Sequence, residues 1–179
     1  QVSDCLAEEL RRLDPVEGWD PAARADRSDF DLNPDAPRPE PLRPLKDAAV
    51  LVPLIARPEG VTVLLTRRAD TLAKHTGQVA FPGGRLDPGE GPVEAALREA
   101  HEEVGLDPAL VAPVGLSTRY ETITGYVVTP VVAFVDPAAA ITPAPAEVAE
   151  AFEVPLTFLL DPANHQRRFY ETETGERRW

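Results

Sequence analysis

The sequence predicts an α/β domain in which a mixed β-sheet is sandwiched between α-helices. Three observations carry that expectation: β-branched apolar runs outnumber helical segments, one long amphipathic helix lies near the middle of the chain, and no internal repeat is visible. At 179 residues the chain is long enough for a single core that withdraws roughly 70% of the unfolded surface from water. Its 43% hydrophobic and 27% charged residues are those of a globular protein, and its longest apolar run, AAVLVPLIA at 48–56, is far too short to span a bilayer.

The elements follow in order. A short helix is expected near residues 4–13, and residues 14–46, rich in Pro, Asp and Arg and without periodicity, predict an irregular arm packing on the body. The expected division is therefore 1–46 for helix and arm and 47–179 for the body, within one domain overall. AAVLVPLI (48–55) and VTVLLT (61–66) read as strands joined by RPEG, a segment with the Pro and Gly that a reversal favours. GQVAF (77–81) is a further strand that runs into the loop PGGRLDPGEG (82–91), after which a helix begins. Downstream, LVAPVGLSTRY and GYVVTPVVAFV read as strands, DPAAAITPAPAE as a loop, VAEAFEV as a strand with a short helix as the alternative, and LTFLL as a helical turn.

Charge and composition exclude some functions. A net charge of −12 argues against a nucleic-acid duplex or an anionic membrane as the main partner, because both require a basic footprint. A bound cation would reverse that balance locally. The N-terminal residues are acidic and carry no long apolar stretch, so nothing resembles a secretory signal and the cytoplasm is the expected compartment. One cysteine, Cys5, excludes an internal disulfide framework and reads as an ordinary thiol. With no methionine in the sequence, both ends are expected to be trimmed.

The central helix is predicted over 92–104: Gly91 stands at its entry, Pro92 suits the first helical position, and Gly105 suits the left-handed position after the last turn. Projected at about 100° per residue, Val93, Ala96, Leu97, Ala100 and Val104 form one stripe, expected to face the core. Glu99, Glu102 and Glu103 form a second stripe beside it. Like-charged pairs at these spacings cost roughly 0.2–0.5 kcal/mol each. A solvated acidic face is one account of them. The other is a site for a hard divalent cation, which takes oxygen ligands and, in the case of Mg2+, keeps waters and bridges to substrate phosphates. Two adjacent glycines in the preceding loop permit backbone to approach a metal or phosphate without Cβ interference. Arg98 is placed to hold a carboxylate through a bidentate pair, or to form a surface ion pair.

Residues 84–106, GRLDPGEGPVEAALREAHEEVGL, resemble the Nudix box: Gly84, five residues, Glu90, seven residues, Arg98-Glu99, then Glu102-Glu103 and Gly105-Leu106. Ala100 stands where a bulkier aliphatic residue is usual. Upstream, LLTRRADTLAKHTGQVAFPGG (64–84) is similar to the motif of the coenzyme A diphosphatase branch at Leu64, Leu65, Thr66, Arg68, Ala69, Gly77, Phe81, Pro82, Gly83 and Gly84, with Ala73 where the branch places arginine. The looser similarity extends over about residues 47–160.

The resemblance implies a Nudix fold, a Mg2+ or Mn2+ cofactor, and hydrolysis of coenzyme A or its derivatives to 3′,5′-ADP and 4′-phosphopantetheine. It implies Glu99 and Glu103 as leading metal ligands, joined by Glu102 and the Gly84 carbonyl, with Arg98 supporting catalysis. The proton acceptor stays open between Glu99 and Glu102, with Glu147 and Glu121 as outside candidates. Arg68, Lys74, Gly83 and Arg85 are the implied substrate contacts. His75, His101 and His165 have no spacing that suggests zinc or a triad. The implied partner is a small diphosphate molecule, with homodimerisation left open. Two alternatives accompany this expectation: a Nudix hydrolase of ADP-ribose, dinucleotides or oxidised nucleotides, and a non-catalytic Nudix-fold binding module. A Ca2+-binding structural domain is disfavoured, because the twelve-residue loop of alternating oxygen ligands is not visible.

Overall fold

The computed structural model describes residues 2–32, 44–69, 77–166, 169–172 and 175–178. In chain order the helices are α1 (Val2–Leu10), α2 (Pro92–Val104) and α3 (Leu156–Leu160). The first strands are β1 (Arg27–Ser28), β2 (Lys46–Arg57), β3 (Gly60–Arg68), β4 (Val79–Ala80) and β5 (Gly83–Arg85). After α2 come β6 (Val111–Leu116), β7 (Tyr120–Glu121), β8 (Tyr126–Val135) and β9 (Val148–Pro155), and the hairpin β10 (Phe169–Thr172) and β11 (Gly175–Arg178) completes the set.

Nine strands form one mixed sheet in the order β1-β7-β8-β2-β3-β4, with β5 beside β2, β6 beside β8 and β9 beside β3. The predicted hairpin is present: β2 and β3 run antiparallel, and Gly60, at φ 132°, makes the reversal in a conformation that side chains resist. β2 and β8 are parallel from Lys46↔Tyr126 to Ile55↔Val135, and such a pair needs a long crossover, within which α2 lies. Period-two alternation then sorts the side chains. Ala49, Leu51 and Ile55 of β2, with Val131, Ala133 and Val135 of β8, pack against Ala95, Ala96, Ala100 and Val104 of α2. Leu54, Val63, Leu65 and Val132 face the other way, under Leu6 and Leu10 of α1 and Leu156 of α3. Helices therefore cover both faces of a mixed sheet, as expected.

Several local expectations are corrected. The strand expected over 77–81 is paired only at Val79–Ala80, and the loop at 82–91 contains β5, which joins β2 through Ala48↔Arg85, Ala49↔Gly84 and Val50↔Gly83. α1 stops at Leu10 rather than continuing to residue 13. VAEAFEV is the strand expected rather than the alternative helix, because it adds β9 antiparallel to β3. The face that α2 presents to the core differs too. Pro92, Ala95, Ala96, Ala100, Glu103 and Val104 are buried, while Val93 and Leu97 are only half-buried. The buried arc is rotated by roughly 60° toward the acidic stripe, because the three alanines let the helix settle close to β2 and β5. Glu103 thereby lies inside the buried arc.

The segment after α1 lies against the far edge of the sheet. Asp14 exchanges backbone hydrogen bonds with Leu116 at 2.9 and 2.8 Å, and β1 pairs parallel with β7. Arg119 donates to the carbonyls of Asp20 and Ala23 at 2.7 and 2.6 Å. No described helix is long and apolar enough to cross a membrane.

Replacing Leu51, which has no solvent exposure, by alanine removes contacts on the α2 side of the sheet. Urea unfolding is expected to show a loss of roughly 2–5 kcal/mol for Leu51→Ala. Ile123→Ala, at a side chain 61% exposed, is expected to change stability by less than about 0.5 kcal/mol.

Candidate active site

The site begins with two glycines that lack room for a side chain. A Cβ on Gly83 would collide with the Ala49 carbonyl and the backbone of Val50, and a Cβ on Gly84 would overlap the carboxylate of Glu99. Glycine at both positions lets β5 lie flat on β2 and lets α2 bring its acids against bare backbone. Gly105 closes the helix at φ 66°, and its N–H donates to His101 O at 2.9 Å.

Glu103 is 6% exposed, and its Oε2 accepts from the Gly83 N–H at 3.2 Å. Burial pushes its carboxyl from the ordinary 4.5 up to about 7; Glu99 and Glu147 push the same way, while the Gly83 N–H and Arg68 oppose. Glu99 is also raised, chiefly by burial, with Arg98 opposing and Glu102 and Glu147 adding to the shift. Two carboxylates are thus held partly dehydrated and close enough to repel.

Arg98 ties the loop to the helix. Its Nε and Nη2 donate to Glu90 Oε1 and Oε2 at 2.9 and 3.0 Å, the bidentate pair expected of it, with Glu90 of the loop as the partner. Nη2 also donates to the Arg85 carbonyl at 3.1 Å, and Nη1 reaches Glu99 at 3.0 Å and Glu102 at 3.2 Å. Glu90 in turn accepts from the Asp87 N–H at 2.8 Å, and the guanidinium holds its carboxyl below the usual range. One cation therefore fixes the loop 85–90 and restrains two acids of the helix.

The remaining expected residues divide. Glu147 lies on the loop before β9, where its carbonyl accepts from the Ala69 N–H at 2.9 Å and its charge acts on both Glu99 and Glu103. Glu121 sits on β7, paired with β1 and β8, and is not among the charges that shift those acids. Arg68 ends β3 with a buried Nε that has no hydrogen-bond partner. Arg85 contributes its carbonyl to Arg98. Lys74, with Ala73 and His75, lies outside the described residues. His101 and His165 contact only nearby carbonyls, those of Leu106 and Leu159.

Among the described residues no three acidic, histidine or cysteine groups converge into a finished metal cage. The donor set nevertheless fits a hard dication that keeps part of its water shell. Glu99 lies against the Gly84 backbone, Glu103 is buried beside it, and both have raised pKa values that a nearby dication would relieve. Arg98 pairs with Glu99 at 3.0 Å and with Glu102 at 3.2 Å, beside these donors. The contacts of Trp19 and Arg119 with this end of the molecule had no signal in the sequence, because they join residues about a hundred positions apart or pack through an aperiodic arm.

The raised Glu103 pKa gives metal-free protein a pH dependence with a definite sign. A carboxyl that holds its proton more tightly when folded stabilises the fold fully below about 4.5, and that contribution is lost as pH rises to about 7. Denaturation with chelator present is expected to show stability falling across this window. Glu103→Gln is expected to flatten the slope, and added Mg2+ or Mn2+ to restore stability at pH 8.

Residues 45–172 match the family model of the NUDIX domain. The chain is 43% identical over 132 residues to an uncharacterized Nudix hydrolase, NudL, of Enterobacter sp. (strain 638), covering 70% of this chain and 68% of that protein. It is 48% identical over 112 residues to NudL of Cronobacter sakazakii, covering 62% and 58%. The chain thus spans 58–68% of the length of these relatives. The crystal structure of RenU, a Nudix hydrolase from M. smegmatis, superposes with a TM-score of 0.56 at 28% identity, covering 68% of this chain and 80% of that one.

Proposed function

Because the chain belongs to the Nudix hydrolase family, we propose that it hydrolyses the pyrophosphate bond of coenzyme A or its derivatives to 3′,5′-ADP and 4′-phosphopantetheine. The observation that carries a diphosphatase reading is the pair Glu99 and Glu103, dehydrated and crowded against the backbone of Gly83 and Gly84. In the residues that would hold Mg2+ or Mn2+, Glu99 and Glu103 lead, and Glu102 and the Gly84 carbonyl complete the set. The bound ion supplies neutralisation of the diphosphate charge and a more acidic water.

The chain's own residues do the rest. A water oxygen forms a bond to one phosphorus while the anhydride P–O bond breaks, and a carboxylate takes the water's proton. Glu102, with its side chain 55% exposed, and Glu99 are the nearer acceptors, and Glu147 is a third. Arg98 keeps the loop and helix in register so that these acids stay placed. Arg68, which ends β3 and whose charge acts on Glu103, would meet a substrate phosphate through its guanidinium, and Lys74 and Arg85 would add positive charge. Gly83, whose N–H donates to Glu103, would serve the same group through the placement of that acid.

The coenzyme A class is supported by the match of residues 64–84 to that branch motif. Ala73, where the branch places arginine, favours a second reading in which ADP-ribose, a dinucleotide or an oxidised nucleotide is the better substrate. A panel of diphosphate compounds, analysed by mass with and without chelator, separates the two. Coenzyme A is expected to yield 3′,5′-ADP and 4′-phosphopantetheine in equal amounts only with Mg2+ or Mn2+, whereas faster turnover of ADP-ribose would favour the second reading.

Glu102→Gln and Glu103→Gln are expected to lower kcat by about 10²–10⁴-fold with the fold intact by circular dichroism. Unchanged turnover in folded variants would remove these residues from the proposed machinery.

A further inference from the structure

A second arginine stands in series with Arg98. Arg119 lies between β6 and β7, with its side chain 11% exposed. Its Nη1 donates to the arm carbonyls of Asp20 and Ala23, and its Nη2 meets Asp47 Oδ1, at the start of β2, at 3.3 Å. The Asp47 carbonyl in turn accepts the Leu86 N–H at 3.1 Å, which carries the β5–β2 pairing one residue beyond Ala48↔Arg85. Next to Leu86, the Arg85 carbonyl accepts from Arg98, which holds Glu99 and Glu102. A chain of contacts thus leads from the arm to the acids of α2.

Period-two alternation keeps this chain on one face of the sheet. Asp47 lies on the α2 side with Ala49 and Leu51, and so do Gly84, opposite Ala49, and Leu86. Trp19 of the arm and Leu86 of the loop pack against the same core, and with Asp47 and Glu90 they line a cleft of about 850 Å³ beside the loop after β5.

The arm stays on the sheet without Asp47. Before the contact it is attached by the pair Asp14↔Leu116 and after it by β1 on β7, where Asp29 accepts from Tyr120 Oη at 2.8 Å and from the Ile123 N–H at 2.7 Å. Between these attachments residues 15–26 arch over a cavity of about 220 Å³ that Trp19, Ala23, Arg119 and Thr129 help to line. Over that cavity the arch takes its position from the Arg119 hydrogen bonds. The contact of Arg119 with Asp47 is therefore surplus to seating the arm, and it is the link that leads toward the acids.

We infer that Arg119 is a positioning residue for the hydrolytic centre, acting through Asp47 and Leu86 on the loop that Arg98 ties to α2. The arm is then a brace for that loop. The reaction it serves rests on the diphosphatase reading above, whereas the placement of the loop does not.

Hydrogen exchange of the full chain, followed by mass spectrometry, tests the placement without substrate. Asp47→Asn, at a side chain 39% exposed, removes the charge and keeps the carbonyl that Leu86 uses, while Arg119→Gln removes the whole junction. In each variant the amides of residues 84–91 are expected to exchange about 10-fold faster, as a tenfold more populated local opening requires, and those of 95–104 to keep their wild-type rates. With whichever of coenzyme A and ADP-ribose is cleaved, at saturating Mg2+, kcat is expected to fall about 10-fold in both variants with KM within about 2-fold, less than the roughly 10²-fold cost of a 1 Å misplacement. Because the contacts act in series, adding Asp47→Asn to Arg98→Lys is expected to leave kcat where Arg98→Lys alone puts it. Unchanged exchange at 84–91 in both folded variants, faster exchange throughout the chain, an unchanged kcat, or factors that multiply in the double variant overturns the inference. If exchange rises at 84–91 alone while neither compound is cleaved, the brace stands and the diphosphatase reading fails. If a compound is cleaved and both variants match the wild type in exchange and kcat, the inference fails and the diphosphatase reading stands.

Discussion

The guanidinium of Arg98 joins two pieces of chain that would otherwise be independent. On one side it grips Glu90 and the Arg85 carbonyl, which shape the loop after β5, and on the other it reaches Glu99 and Glu102 on α2. An arginine makes such a junction better than a lysine, because its planar fork satisfies a carboxylate bidentately and still has donors to spare. The glycines of β5, the acids of the helix and the cleft beside the loop all take their places relative to this one cation.

What Arg98 does not neutralise is the deeper acid. Glu103 has the Gly83 N–H and the field of Arg68 to offset its burial, and these leave it with a raised pKa. Burying a carboxylate without full compensation is costly, so its retention among alanines and valines calls for a compensating partner. A divalent cation is a partner of the right charge, and its oxygen preference matches the donors on offer. The same placement that makes the metal-free fold sensitive to pH makes the niche suited to such an ion.

Much of this was legible from the residues. Pro92 and Gly105 bound α2 where expected, since a missing N–H and a left-handed φ are local properties. The strands β2, β3 and β8 were visible because their apolar residues are continuous or alternate. β5 was not, because three residues with two glycines have no side-chain period, and only pairing with β2 makes them a strand. The helix was projected with the right period and the wrong zero: its apolar residues pointed to Val93 and Leu97, whereas close approach at Ala95, Ala96 and Ala100 set the buried arc. That error hid the burial of Glu103, the feature with the largest chemical consequence. Arg98 had an anchoring role in prospect, but its partner Glu90 depends on a loop conformation no local rule supplies. The arm's contribution, Trp19 beside the loop and Arg119 clasping residues 20 and 23, arises from contacts distant in sequence.

The central claim is that Glu99 and Glu103 exist as a pair to hold a divalent cation against the Gly84 backbone. Manganese binding followed by electron paramagnetic resonance tests it most directly, in wild-type protein and in folded Glu99→Gln and Glu103→Gln variants. The account predicts a broadened, protein-bound signal in the wild type and a shift toward free Mn2+ in each variant at the same concentrations. A free-ion signal throughout, or bound manganese indifferent to both substitutions, would contradict it.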